Sequence, residues 1–304
     1  MIPRVAFHNG VWAPLEQTSL SLDDWGLVQG ATLVERMRTV GGRPLDVEGH
    51  LERLRLSAGT LGIRWPELLD ARLICETGER NCAAHVDQRK TLRDFAIVVL
   101  LTPGRSIDGP AGYRPTLIVH TVDMHWRSLA HWYAHGQALV TALNRNVPGD
   151  CWSTHLKTRS RLHYFLADQY AASSGLEYAG AAMRSTAGHL TESSVANILM
   201  IDGDTLVSPP IDSVLHGLSL RRTLRLAGEL GIPARFENIA METARSADAL
   251  LMTGSSGCLW VASQLDDVEF VQPRSNPIFC ALRDAWIKDI GLDYISQAID
   301  QQDR

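Results

Sequence analysis

Short apolar runs alternate with stretches of helical spacing along the whole chain, a pattern that predicts layered α and β structure. Residues 5–8 and 10–12 read as an opening hairpin. Residues 33–40 alternate like a strand and run into the Gly41-Gly42 turn. Apolar positions recur at helical spacing over 47–61, with Gly62 as the stop, and again over 65–76, with Gly78 as a second stop. Continuous apolar runs at 95–101 and 116–120 predict buried strands, and 138–141 predicts another. The second half predicts a helix over 161–173, a hairpin over 181–201, a helix over 219–230, a buried strand over 249–252 and a closing helix over 276–290. Periodicity alone therefore predicts an α/β, mixed α+β, protein.

Residues 123–135 break this rhythm. Met124-His125-Trp126 and His131-Trp132-Tyr133-Ala134-His135 are rich in aromatics and histidine, and we read them as an interdomain crossover. That places an N-terminal domain at 1–122 and a C-terminal domain at 136–304. His131 and His135 lie four apart, as two metal ligands on one helix face would. No third ligand has matching spacing, so packing aromatics are the better reading and no metal site is expected.

Composition narrows the class. The chain has 304 residues, 45% hydrophobic and 21% charged, as globular proteins do. Its net charge of −5 gives no reason to expect nucleic acid or an anionic membrane as partner. No apolar run reaches membrane-spanning length, and Met1-Ile2-Pro3-Arg4 does not open a signal peptide. Cys75, Cys82, Cys151, Cys258 and Cys280 are odd in number and lack metal-ligand spacing. They predict reduced thiols and a cytoplasmic protein.

Charge usage singles out one residue type. Lysine and arginine together number 29, yet the only lysines are Lys90, Lys157 and Lys288. Arginine stays protonated, whereas a lysine amine can lose its proton and attack a carbonyl. Downstream of Lys157, the stretch Leu190-Thr191-Glu192-Ser193-Ser194-Val195-Ala196-Asn197-Ile198 sets one carboxylate before a small-residue loop and an apolar strand. An amine for an imine and an anion for a pyridinium nitrogen are what pyridoxal 5'-phosphate (PLP) chemistry requires.

These residues resemble the class IV aminotransferases, the fold-type IV PLP enzymes that include branched-chain and D-amino acid aminotransferases and aminodeoxychorismate lyases. Six landmarks occur in family order. The segment Leu20 to Gly30 with Leu33-Val34-Glu35 resembles the Asp-Arg-Gly…Phe-Glu region, and His50-Leu51-Glu52-Arg53-Leu54 resembles the first-helix motif. Leu156-Lys157-Thr158-Arg159-Ser160-Arg161-Leu162 resembles the lysine segment, in the Lys-x-x-x-Arg-Leu form of the lyases. Gly188 to Ile198, then Pro209-Pro210 with His216-Gly217-Leu218-Ser219, then Met252-Thr253-Gly254-Ser255, resemble the remaining three.

The resemblance implies a small N-terminal α/β domain, a larger C-terminal pseudo-barrel domain, a homodimer, and amino-acid and 2-oxo-acid substrates. It implies that Lys157 is the Schiff-base lysine and proton carrier and that Glu192 faces the pyridine nitrogen. Arg53 would clamp the phosphate through two parallel hydrogen bonds, joined by the helix start at Leu218 and Ser219 and by Ser255. Ser219 could alternatively be a helix N-cap, and Ser255 a turn former. Tyr164 follows Lys157 by seven residues, where the family has a tyrosine at five, so a packing role is expected for it.

The substrate side departs from the family. Thr102-Pro103-Gly104 replaces the Thr-Arg-Gly turn whose arginine receives the substrate carboxylate in D-amino acid enzymes, and the Tyr-x-Arg pair of branched-chain enzymes is missing. Val34 stands where the family has Phe or Tyr. Arg161 and Arg105 remain as candidate carboxylate partners, or as surface arginines. An aminotransferase is the first reading. Pyruvate elimination from an aminated chorismate, and a catalytically idle PLP-binding homologue, stay open as alternatives.

Overall fold

The structure is a computed structural model and describes residues 2–87, 90–105 and 114–302. The chain divides into two compact units, Met1–Met124 with Leu156–Ser160, and His125–His155 with Arg161–Arg304.

Within the described residues, the first unit is built on a six-stranded antiparallel sheet. Its strands are β1 (Val5–His8), β2 (Val11–Pro14), β3 (Leu33–Val40), β4 (Arg43–Pro44), β5 (Phe95–Arg105) and β6 (Arg114–Asp123), in the order β2-β1-β6-β5-β3-β4. Asn9 and Gly10 both take positive φ and close the β1–β2 hairpin, the conformation a tight two-residue turn demands. A short α1 (Trp25–Val28) precedes β3, and α2 (Val47–Thr60) and α3 (Ala71–Asn81) follow β4. Leu54, Ala58, Leu73 and Ile74 of these two helices pack with Leu33, Met37, Ile97, Val99, Leu117 and Val119 of the sheet. Alternate strand residues point to opposite faces, so this core fixes which face each remaining side chain occupies.

The helix expected over 65–76 begins later, at Ala71. Asp70 caps it by accepting from the Leu73 N–H at 2.8 Å, while Trp65 donates to the Leu69 carbonyl in the preceding turn. Gly78 does not stop α3 but lies inside it, where an added Cβ would press on Ile97 at 3.3 Å.

The second unit opens with α4 (Trp126–His135), so the residues expected as a crossover are mostly helix, with Trp126, Leu129, Ala130 and Tyr133 buried. The aromatics that suggested a break are its packing face. Then come β7 (Gln137–Thr141), α5 (Leu162–Ala172), β8 (Gly180–Ala182), β9 (Asn197–Asp202), β10 (Thr205–Ser208), α6 (Leu218–Glu229), β11 (Ala234–Phe236), α7 (Met241–Arg245), β12 (Ala249–Gly254), β13 (Cys258–Leu265) and β14 (Val268–Glu269). Two helices follow, α8 (Pro277–Ile290) and α9 (Tyr294–Gln301), so the helix expected to close the chain is the penultimate one. The strands run β11-β10-β9-β12-β13-β7-β8, with β14 on β13, in mixed parallel and antiparallel pairing.

The hairpin expected over 181–201 is not formed as such. β8 pairs in parallel with β7, and β9 pairs with β10 and β12. The chain in between folds back locally, with Met183 N–H donating to the Glu192 carbonyl at 2.9 Å.

Candidate active site

Lys157 is held by its backbone. Its carbonyl accepts from Val34 N–H at 2.9 Å, and Arg159 N–H donates to the Thr32 carbonyl at 2.8 Å. Thr158 bridges Leu33 in antiparallel fashion, and the Ser160 hydroxyl donates to the Gly30 carbonyl at 2.7 Å. The lysine segment is thus a short extra strand on the edge of β3. Side chains placed on a strand are aimed more exactingly than those on a free loop.

Arg53 belongs to a buried cluster in the same unit. Its Nε donates to Glu35 Oε1 at 2.7 Å and its Nη2 to Glu35 Oε2 at 2.6 Å, while His50 Nδ1 meets Glu35 Oε2 at 2.6 Å. Burial alone would raise the Glu35 pKa, but the charges and hydrogen bonds of Arg53 and His50 outweigh it and bring it down to about 2. Burial lowers the His50 pKa; Glu35 opposes that, and the charges of Arg53 and Lys157 push it further down. A carboxylate can only accept, so His50 Nδ1 is the donor in this contact. The expected parallel fork of Arg53 is spent on this internal carboxylate. Two of the five guanidinium N–H groups of Arg53 are taken up by this carboxylate.

In the second unit, Glu192 is 6% exposed and caged by donors. Oε1 accepts from the Tyr164 hydroxyl at 2.8 Å, Oε2 from Asn197 Nδ2 at 3.2 Å, and the Leu215 N–H approaches both oxygens at 3.2–3.3 Å. Tyr164 is thus more than a packing residue. Burial, then the Glu192 charge, hold its pKa well above the usual phenol value, so it remains a donor.

One face of α5 serves this loop. Arg161 Nη2 donates to the Ser194 carbonyl, and its guanidinium lies 4.5 Å from the Tyr164 ring. One helical turn beyond Tyr164, Asp168 accepts from the Ser194 hydroxyl at 2.8 Å.

Helix α6 starts at Leu218, with Gly217 as its N-cap and, among the described residues, no side-chain cap. Ser219 lies inside the first turn, so it is not the capping residue. An added Cβ on Gly217 would come within 2.0 Å of Asn197 Oδ1, which explains glycine there. Beneath α6, Trp286 Nε1 donates to Thr223 Oγ1 at 3.0 Å, and Thr223 meets Thr253 at 3.2 Å. That chain ties the helix to the strand ending at the Ser255 turn. Uncapped N–H groups at a helix start form a ready anion site.

Of the three candidate substrate residues, Val34 is buried beside Lys157 in the β3 edge pairing. Arg105 is exposed and paired with Asp23 at 2.7 Å. Arg161 is committed to Ser194 and Tyr164. The His131 and His135 rings are tilted against one another with centroids 4.9 Å apart, and among the described residues no three potential ligands gather for a metal.

Both the sequence and the fold have counterparts among known proteins. The family model for amino-transferase class IV matches residues 32–264, so this chain belongs to the class IV aminotransferases, and its chemistry is amino-group transfer. It is 25% identical over 268 residues to a Methanocaldococcus jannaschii protein provisionally named a branched-chain-amino-acid aminotransferase, covering 86% of this chain and 87% of the relative. It is 24% identical to the D-alanine aminotransferase of Staphylococcus aureus, covering 93% of this chain and 97% of that one. The fold resembles a T.th. branched-chain aminotransferase complexed with N-(5'-phosphopyridoxyl)-L-glutamate (TM-score 0.79, 18% identity, 95% of this chain and 94% of that one). The mixed α/β architecture is the fold-type IV one.

Proposed function

We propose that this aminotransferase moves an amino group between an amino acid and a 2-oxo acid on PLP, with Lys157 as the attachment point. PLP, when bound, supplies an aldehyde carbon and an electron-withdrawing ring. The observation that carries the reading is Glu192, a buried carboxylate oriented by Tyr164, Asn197 and the Leu215 N–H. Such an anion holds a proton at the ring nitrogen. Lys157 would hold the aldehyde, and its amine would be the group that carries the proton at the substrate Cα. Arg53, the Leu218 and Ser219 end of α6, and Ser255 supply donors for the phosphate. The donor set fits: an amine, an anion, a cation and free N–H groups each answer one part of the cofactor. The pyruvate-eliminating lyase is not favoured, because the named relatives are transferases.

Borohydride reduction of the holoenzyme followed by peptide mapping tests the assignment. The label is expected on Lys157 alone; a label on Lys90 or Lys288, or none, defeats it. With 2-oxoglutarate present, glutamate is the expected product.

A homodimer is the expected assembly. Leu162, Phe165 and Leu166 are 70%, 58% and 50% exposed along α5, an apolar stripe that a second copy would cover, and sedimentation reads it directly. Among the described residues the five cysteines form no disulfide, and we read the setting as reducing and cytoplasmic.

A further inference from the structure

The face of the first unit's sheet turned away from α2 and α3 carries cations. Leu33 and Met37 of β3 join the helix-side core, so Arg36, between them in the alternation, points to the other face. Arg36 is paired with Val98 of β5, and Val98 with His120 of β6. Arg36 and His120 therefore belong to one cross-strand row. The bridge between Leu33 and Thr158 sets Lys157 opposite Val34 and Arg159 opposite Thr32. Val34, Thr32 and Arg36 share a face, so Lys157 and Arg159 share it too.

The charges are close enough to act on one another. Burial and the Arg159 charge lower the Arg36 pKa to about 10. Burial, then the charges of Arg159, Arg4 and Arg36, lowers that of His120, against an opposing hydrogen bond to the Thr121 carbonyl. Arg36 Nη2 also donates to the Asp123 carbonyl at 3.4 Å, and a bound anion would offset the mutual repulsion of the cations. Diagonal neighbours across paired strands lie about 7–8 Å apart, which sets Arg36 within side-chain reach of a small acid attached near the Lys157 amine.

We infer that Arg36 and Arg159, with His120 in the row behind, receive the carboxylate of the amino-acid or 2-oxo-acid substrate. Carboxylate recognition has then moved onto β3. The family's turn position holds Pro103, which offers no donor, and Arg105 is paired with Asp23. The inference rests on Lys157 as the reacting amine, and it selects substrates by their carboxylate: an amine without one loses the contact.

The test compares racemic norvaline with racemic 2-aminopentane, which differ only in carboxylate against methyl, and titrates the holoenzyme calorimetrically with pentanoate. Arg36→Met is expected to weaken pentanoate binding and to raise the half-saturating norvaline concentration about tenfold or more, as loss of a charge-assisted contact does. It should leave 2-aminopentane unchanged or improved. Arg159→Met should shift the same readouts in the same direction, and Arg36→Lys should restore part of the loss. Pentanoate binding equal in parent and Arg36→Met, or none in the parent, overturns the inference. Borohydride labelling of the same preparations separates the two readings. An unlabelled Lys157 in the parent removes the cofactor assignment, while pentanoate binding still decides the carboxylate site.

Discussion

Replacing Glu35 by glutamine should destabilise the protein severely without removing any group proposed to touch substrate. Glu35 is 1% exposed and receives three contacts of 2.6–2.7 Å from Arg53 and His50. The fall in its pKa from 4.5 to about 2 corresponds to roughly 3 kcal/mol favouring the buried carboxylate. A glutamine keeps the shape but leaves the Arg53 charge uncompensated, and breaking a buried pair costs about 3–5 kcal/mol. For a unit of this size each kcal/mol moves the melting temperature by a few degrees, so the variant should melt about 10 °C or more below the parent at pH 7. The sign with pH is fixed. The folded pKa lies below the unfolded one, so the contribution is present in full above about pH 4.5 and is lost as pH falls toward 2. Roughly 2 of the 3 kcal/mol should be gone by pH 3. Parent and variant melting curves should therefore converge in acid. Adding Arg53→Met to Glu35→Gln should recover part of the loss, because the stranded charge is then removed. A variant that melts within about 2 °C of the parent at pH 7, or a gap that widens in acid, would show that the cluster does not carry this energy.

Three more outcomes are open to measurement. Arg53→Ala should weaken PLP retention by about a hundredfold and leave free pyridoxal almost unaffected, since only the phosphate would lose its partner; equal losses for both would tie Arg53 to the Glu35 cluster alone. Glu192→Gln should keep the borohydride-reducible linkage at Lys157 and slow single-turnover proton removal at the substrate Cα, so an unchanged half-reaction rate would rule out its place at the ring nitrogen. Tyr164→Phe keeps the ring beside Arg161 but removes one donor to Glu192. A loss of about 1–2 kcal/mol of stability is expected, together with loss of one tyrosine that ionises above the usual phenol range in an absorbance titration.

Much of the fold was readable because local signals and tertiary contacts agree. β3 follows from its apolar run and the Gly41-Gly42 turn, and α2 from apolar spacing that ends near Gly62. The misreadings share a physical origin. Apolar spacing at 65–70 reflects a turn packed on the core, and the true start is the Asp70 cap. The stretch at 123–135 does contain the boundary between the two units, after Met124, but most of it is helix α4, with every third or fourth residue buried, which its polar histidines masked. β8 lies near β9 in sequence but pairs in parallel with β7, and pairing partners are a tertiary choice that strand propensity does not encode.

The site divides in the same way. Lys157 and Glu192 were singled out in the sequence because the proposed chemistry demands particular residue types in recognisable local segments. Tyr164 was not, because a count of seven along the chain says nothing about contacts. Helical periodicity places Arg161, Tyr164 and Asp168 on one face, and only the folded loop from Glu192 to Ser194 shows what that face meets. Arg36 was harder still. Two arginines at alternate positions in an apolar strand, Arg36 and Arg38, were the available signal, but alternation fixes only that they share a face. Which charges gather there depends on β6 and the Lys157 segment, both distant in sequence. A carboxylate site assembled from three separate segments leaves no motif. The altered turn at Pro103 therefore marks where the usual site is missing, and the strand register points to where its replacement lies.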